Sequence, residues 1–337
     1  MRILASLFLL VFSVNATAAC IVTFNAYGPA YAPGKNWRAQ HAAKELRDHN
    51  CDLVNLQEAW SEAQIDIFEH ELASSYKVFD PNKKFRIGVM SFSKTGWADA
   101  QTYSFRVNYD GGFMDGFRRW VDVQKAFTVI KDAQPNTTLI NTHLHPTSPA
   151  IRMMQLLDIF NWRFTADKGR ALIMTGDFNA DPGSVEHRLA LALLDVADSV
   201  KSVNGSYPKG FCSYCESNRH SWLSGDHTFD YVLLSYPRPS RDGWKAKTAQ
   251  LVLKGTQENP YSDHYGLKVD FENVAHDSVA EKLSKKEFLN LLKEVEADLL
   301  AFNTDDVPTY VSFVRRIQKE VTEDRGELAD YFRETLE

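Results

Sequence analysis

The sequence predicts an α/β fold, a mixed sheet system with helices outside, on three observations. From residue 20 to about residue 273, short apolar runs of strand length alternate with stretches of helical periodicity. Some neighbouring runs are joined by turn-like connections alone, which favours mixed sheets over a uniform alternation of strand and helix. Of the 337 residues, 44% are apolar and 12% aromatic, ample for a buried core. The net charge of −6 advertises no basic surface for nucleic acid or an anionic membrane, although a basic patch can sit on an acidic protein.

The chain opens with Arg2, an apolar stretch from Ile3 to Val14 and the small residues Ala16-Thr17-Ala18. This pattern predicts a signal peptide over residues 1–18, cleaved near Ala18 or Ala19, and a secreted or periplasmic protein. The apolar stretch falls short of the roughly 20 residues that span a bilayer, and no later segment has that character, so no transmembrane segment is expected in the mature protein. CIVTFNAY and CDLVNLQEAW read as strands, with a helix near Trp37–Asn50 between them. Cys20 and Cys51 each open one of these runs, five residues before Asn25 and seven before Glu58. Neighbouring parallel strands would bring their sulfurs together, so a disulfide is expected there. A helix near Glu62–Ser75 and the strands RIGVMSFS, QKAFTVIKD and TLINTHLHP follow, then a helix near Ala150–Ala166, the strand RALIMTGDFN and a helix near Ser184–Ala197.

Cys212 and Cys215 form a C-x-x-C pair. A local disulfide that stiffens a loop is favoured over half a zinc site with His220 and His227, because no second C-x-x-C is present. The strands HTFDYVLLS and YGLKVDFE close the main body, which spans residues 19–273. Residues 274–337 are rich in Lys, Glu and Leu. Ser284 with Glu287 reads as a capping box, and Phe288, Leu291, Leu292, Val295, Leu299 and Phe302 recur at helical spacing. A second helix with Tyr310, Phe313, Val314, Ile317 and Val321 follows Pro308, so these residues form a helical extension packed on the body.

Asn25, Glu58, His143, Asp177 with Asn179, and Asp230 all stand at or near the end of an apolar run, where α/β folds open their ligand crevice. A carboxylate such as Glu58 in that setting needs a cation or strong hydrogen bonds, and oxygen ligands suit magnesium, with manganese or calcium as alternatives. Asn25 completes that shell or orients Glu58. Asp177 and Asn179, two apart in GDFNADP, can hold an attacking water or a phosphoryl oxygen. In YSDHYG, His264 can take a proton from water once a carboxylate fixes its tautomer, and Asp230 is the candidate for that partner. His143 can donate to a phosphate oxygen, while His145 stays open between function and a polar loop.

Together, TFNAY, LQEAW, NTHLHP, GDFNADP, FDYVLL and YSDHYG, in that order over roughly residues 20–272, resemble the endonuclease/exonuclease/phosphatase superfamily. The resemblance implies a four-layer α/β/β/α sandwich of two mixed sheets, here with the C-terminal helical extension. It implies Glu58 as main metal ligand with Asn25 beside it and Asp263 next to the metal. Asp177 and Asn179 would position the nucleophilic water and phosphate, His264 would be the general base oriented by Asp230, and His143 would contact the phosphate. Within the superfamily, FNAYGPAYAPGKNWRAQ, QEAWSEAQIDIF and NTHLHP are similar to neutral sphingomyelinases, which implies a magnesium-dependent release of phosphocholine from a phospholipid and transient contact with a membrane surface. Lys125 in VQKAF stands where that family carries an activating Lys. Asp122 and Asp115 precede it by three and ten residues, a spacing that departs from the family pattern. Trp244 is the nearest candidate for an exposed membrane-inserting aromatic, and a packed tryptophan is the more expected reading.

Two alternatives stand beside this. A secreted deoxyribonuclease-like nuclease would line its groove with Arg118, Arg119 and Lys125 to hold nucleic acid. A non-catalytic binding protein on the same fold is opposed by the full set of acid, amide and histidine positions.

Overall fold

Along each central strand, side chains alternate between two environments, and that alternation builds a layered molecule. The computed structural model describes residues 18–82, 86–109, 124–132, 136–276, 282–302 and 304–337. The leading segment up to residue 17, and Asp115, Arg118, Arg119 and Asp122, lie outside the described residues.

The elements in order are β1 (Ala18–Asn25), α1 (Lys35–His49), β2 (Leu53–Gln57), α2 (Glu62–Leu72), β3 (Lys77–Phe79), β4 (Met90–Ser93), β5 (Asp99–Ser104), β6 (Ala126–Asp132) and β7 (Thr137–His143). They continue with α3 (Pro149–Ala166), β8 (Ala171–Asp177), α4 (Val185–Leu194), β9 (Val196–Asp198), α5 (Ser199–Asn204), β10 (Asp230–Ser235), β11 (Gly243–Val252) and β12 (Gly266–Val274). Three helices end the chain, α6 (Lys285–Ala301), α7 (Val307–Glu323) and α8 (Glu327–Phe332). Two six-stranded mixed sheets result, ordered β11-β12-β1-β2-β4-β3 and β5-β6-β7-β8-β10-β9. With helices around them they make the α/β sandwich that the sequence implies.

The inward face of the central strands changes character along its length. At one end Ile21, Leu139, Ile173, Val232, Leu234 and Phe271 pack between the sheets. One step further come amides and hydroxyls that pin sheet to sheet. Asn55 Nδ2 donates to Thr175 Oγ1 at 2.6 Å, and Gln57 Nε2 donates to Asn141 Oδ1 at 2.7 Å. Buried polar atoms so paired cost little and forbid sliding of one sheet on the other. A further step brings Asn25, His143, Asp177 and Asp230 to a common edge. The outward faces are mainly apolar: Val22, Phe24, Val54 and Leu56 meet α1 and α2, while Ile140, Leu172, Met174 and Leu233 meet α3 and α4.

The C-terminal helices join that second outer layer. Phe288, Leu291, Val295, Val311, Val314 and Phe332 belong to the same buried cluster as Phe160 and Leu189. At about 1.5–3 kcal/mol for each large apolar side chain removed from water, this docking is strong. Among the described residues, no helix is long and apolar enough to cross a membrane.

Both disulfides form as expected. Cys20–Cys51 ties β1 to the turn before its parallel neighbour β2, and Cys212–Cys215 closes a short loop. His227 Nδ1 is 2.7 Å from Asp181, so the half zinc site does not assemble. Other expectations are corrected. The helix expected to reach Ala197 stops at Leu194, because Asp195 turns left-handed (φ 53) and its carboxylate accepts from Arg238 and Arg241; β9 begins immediately. Ser284 caps α6 by position alone, without a side-chain hydrogen bond, while the preceding turn is held by Leu283–Thr335 and Lys285–Glu337 backbone bonds. Asp230 does not end a strand; it opens β10, and reaches the common edge because β10 runs antiparallel to β8. Trp244 is buried against Phe271.

Candidate active site

Strand register assembles one half of the site. In β7, β8 and β10, His143 pairs with Asp177 and Asp177 with Asp230, so three functional side chains form a row across adjacent strands. The approach of β7 to β8 needs Gly176: a Cβ there would lie 1.9 Å from the Thr142 carbonyl oxygen, and its φ of 146° disfavours any side chain. The other sheet supplies Asn25 at the end of β1 and Glu58 one residue past β2. Asp263 and His264 come from the loop that enters β12.

The side chains converge. Asp177 Oδ2 accepts from Asn25 Nδ2 at 2.9 Å and lies 3.5 Å from His143 Nε2 and 3.7 Å from His264 Nε2. Its Oδ1 accepts the amide of Asn179 at 2.8 Å, and Asn179 Nδ2 donates to the Leu144 carbonyl. His264 Nδ1 sits 2.7 Å from Asp230 Oδ2, which leaves Nε2 facing Asp177. Glu58 Oε1 lies 3.8 Å from His143 Nε2, and Lys125 Nζ is 2.8 Å from each ring nitrogen of that histidine. Glu58, which is partly exposed, thus shares one cleft with His264 through His143 and Asp177. Asn25 has both ends of its side chain engaged, since Oδ1 also accepts the Tyr27 amide at 3.0 Å. His145 lies apart, buried, with Nδ1 accepting the amides of Thr147 and Ser148 at the start of α3.

The electrostatics of this cluster are dominated by burial. Burial pushes the Asp177 carboxyl up to about 6; His264 opposes this and Asp230 adds to it. Burial likewise pushes Asp263 up to about 7; His264 opposes the shift, while Glu58 adds to it. Burial alone would depress His264, but Asp230, Asp177 and Asp263 together hold its imidazole well above the ordinary histidine range.

Two carboxylate groupings therefore invite a cation. Asp177, Asp230 and His264 bring ligand atoms within 4.8 Å of one another, and the buried Asp230 Oδ1 has no hydrogen-bond partner among the described residues. That trio, however, is already balanced by the imidazole between its acids. Glu58 adds to the cost of ionising Asp263, and the two offer oxygen atoms alone, a donor set that fits magnesium.

Sequence reasoning passed over several contributors. Ser262 Oγ donates to the Asn25 carbonyl at 2.6 Å and accepts the His264 amide at 3.1 Å, joining the two sides of the cleft. Arg38, buried in α1, donates to the carbonyls of Ala26, Tyr27, Pro33 and Tyr261. It thereby fastens the loop after Asn25 to the loop before Asp263. Ser262 stands inside the quoted YSDHYG motif and Arg38 inside the quoted FNAYGPAYAPGKNWRAQ stretch, but neither position carries a signal for its role.

Comparison with known proteins agrees with the fold. A search of curated proteins found no match. Among solved structures, an endonuclease/exonuclease/phosphatase from Bacteroides vulgatus is 17% identical with a TM-score of 0.59, covering 76% of this chain and 99% of that one. TDP2 of D. rerio, complexed with single-strand DNA product, has the same values. Beta toxin from Staphylococcus aureus is 19% identical with a TM-score of 0.55, covering 74% of this chain and 99% of that one. In sequence, residues 22–264 match the Endonuclease/Exonuclease/phosphatase family. Since that match runs from within β1 to the histidine of the Asp230–His264 couple and so takes in every converging side chain, the chain belongs to the endonuclease/exonuclease/phosphatase family.

Proposed function

We propose that this protein is an exported, magnesium-dependent phosphodiesterase that releases phosphocholine from sphingomyelin or a related phospholipid. Hydrolases of the family act on phosphoester bonds and typically depend on a divalent metal. The observation that carries the hydrolytic reading is the single cleft in which the Asp230–His264 couple and the Glu58–Asp263 carboxylates flank Asp177. Export is supported by the leading apolar segment and by two disulfides.

Glu58 and Asp263 would hold the cation, with Asn25 keeping Asp177 in place beside it. When bound, the ion supplies charge neutralisation for the phosphate and for those two carboxylates. The imidazole of His264, fixed by Asp230 through Nδ1, presents Nε2 as the atom that would accept a proton from water. Asp177 and the Asn179 amide orient that water and a phosphoryl oxygen. From the opposite side Lys125 and His143 present donors to the phosphate as charge builds.

A lipid substrate is supported by the rim of the cleft. Of the five exposed large apolar side chains among the described residues, Tyr31, Trp37, Trp222 and Leu223 each contact a tyrosine that borders the site. Tyr31 packs on Tyr27, Trp37 on Tyr261, and the amides of Trp222 and Leu223 donate to Tyr214, whose ring meets His264. Trp and Tyr with an apolar body and a polar tip suit a headgroup interface. A nuclease reading would use Arg118 and Arg119, outside the described residues.

A substrate panel of sphingomyelin, phosphatidylcholine, lysophospholipid, phosphoinositides and plasmid DNA, with magnesium and with EDTA, tests the proposal. The expected result is magnesium-dependent phosphocholine release. DNA nicking alone would favour the nuclease, and no hydrolysis of any substrate would favour a binding protein.

A further inference from the structure

Ser213 belongs to no helix or strand, yet it is fully buried between two cysteines that are bonded to each other. Its hydroxyl oxygen accepts the amide of Phe229 at 3.0 Å and the amide of Asp230 at 3.1 Å. Its carbonyl accepts the amide of Tyr265 at 2.6 Å. One residue thus grips the backbone of Asp230 itself and of the residue that follows His264. Its neighbour Tyr214 adds a reciprocal pair of backbone bonds with His227 and sets its ring 5.1 Å from the His264 ring. A hydroxyl has two acceptor lone pairs, and here both are committed to amides. The bridge around it closes so small a ring that restricting the unfolded chain contributes little, because that contribution grows with loop length. Its effect is local: it confines the serine.

We propose that Ser213 is a positioning residue for hydrolysis, setting the separation of Asp230 and His264 through its hydroxyl and carbonyl while the Cys212–Cys215 bridge holds it in place. This rests on the reading of Asp230–His264 as the proton-accepting couple. Ser213→Ala leaves two buried amides without an acceptor and frees the start of β10 to shift. A displacement of well under an ångström at a proton-transfer pair reduces turnover without touching substrate binding.

The test follows kcat and KM on sphingomyelin in mixed micelles and on bis-p-nitrophenyl phosphate, alongside the far-downfield proton resonance of His264 Nδ1–H in contact with Asp230. His264→Ala assigns that resonance by removing it. Ser213→Ala is expected to lower kcat about tenfold or more, to keep KM within about twofold, to shift or broaden the resonance, and to retain the wild-type circular dichroism spectrum. Wild-type kcat with an unmoved resonance would overturn the proposal. If Ser213→Ala does not fold, the double variant Cys212→Ala/Cys215→Ala decides on the same two readouts in the same directions. Should the wild type hydrolyse neither substrate, the proposed function fails, and the resonance alone still decides whether Ser213 sets the couple.

Discussion

Glu58 and Asn179 both hold the left-handed backbone conformation, at φ 55° and 50°. Residues with a Cβ adopt it at a cost of about 1–3 kcal/mol, and the surroundings must impose it. For Glu58 the imposition is visible, since Gly28 packs so tightly that a Cβ there would lie 2.2 Å from the Glu58 carbonyl oxygen. Glu58→Gln keeps the shape and removes the charge, so we expect turnover to fall by about 10²-fold or more, with a weaker apparent magnesium affinity in a metal titration of activity. A second residue-scale prediction concerns Asp198. Burial pushes its carboxyl up, but hydrogen bonds from His187 and Tyr207 outweigh burial and hold it below its ordinary value. A carboxyl depressed in the folded state contributes stability that is present above its unfolded pKa, about 3.9, and lost as pH falls through the folded one. Asp198→Asn should therefore be less stable than wild type in urea melts at pH 7, with the gap closing in strong acid. Asn25, Glu58, His143, Asp177, Asn179 and Asp230 were legible because each stood at or near the end of an apolar run, and Asp263 and His264 because they adjoin in the YSDHYG motif. Ser213, Ser262 and Arg38 were not, because each acts on the backbone of a loop remote in sequence, and no spacing encodes that.

At the scale of elements, the eight strands expected from apolar runs are present as β1, β2, β4, β6, β7, β8, β10 and β12, while β3, β5, β9 and β11 were not anticipated. Those four are the outermost strands of the two sheets. An edge strand buries one side at most and is blunted by polar residues or shortness, so it lacks the apolar run that marks a central strand. β5 reads Asp-Ala-Gln-Thr-Tyr-Ser with no buried residue, and β3 and β9 have three residues each. Layering was thus readable from the middle of each sheet outward and stopped where burial stopped. The bridge between β1 and β2 also acts at this scale. Replacing Cys20 and Cys51 by alanine should cost about 2–4 kcal/mol, seen as a lower melting temperature, with kcat kept near wild type because Asn25 and Glu58 stand at the opposite ends of those strands.

For the molecule as a whole, a cation held by Glu58 and Asp263, as proposed, would tie stability to its concentration. Magnesium that binds the folded state alone raises the melting temperature in proportion to the logarithm of its concentration. Because burial puts Asp263 at about 7, protons compete with the ion below that value. The rise produced by magnesium should accordingly be larger at pH 8 than at pH 5.5 in calorimetry, and absent in Glu58→Gln.

The central position of β1, hydrogen-bonded to β12 on one side and β2 on the other, means that Asn25 near the start of the chain is joined to the loop of His264, through Ser262, only once the polypeptide between them has been made. A growing chain therefore carries Glu58 long before it carries the Asp230–His264 couple. The cleft is completed only when the loop that enters β12 arrives.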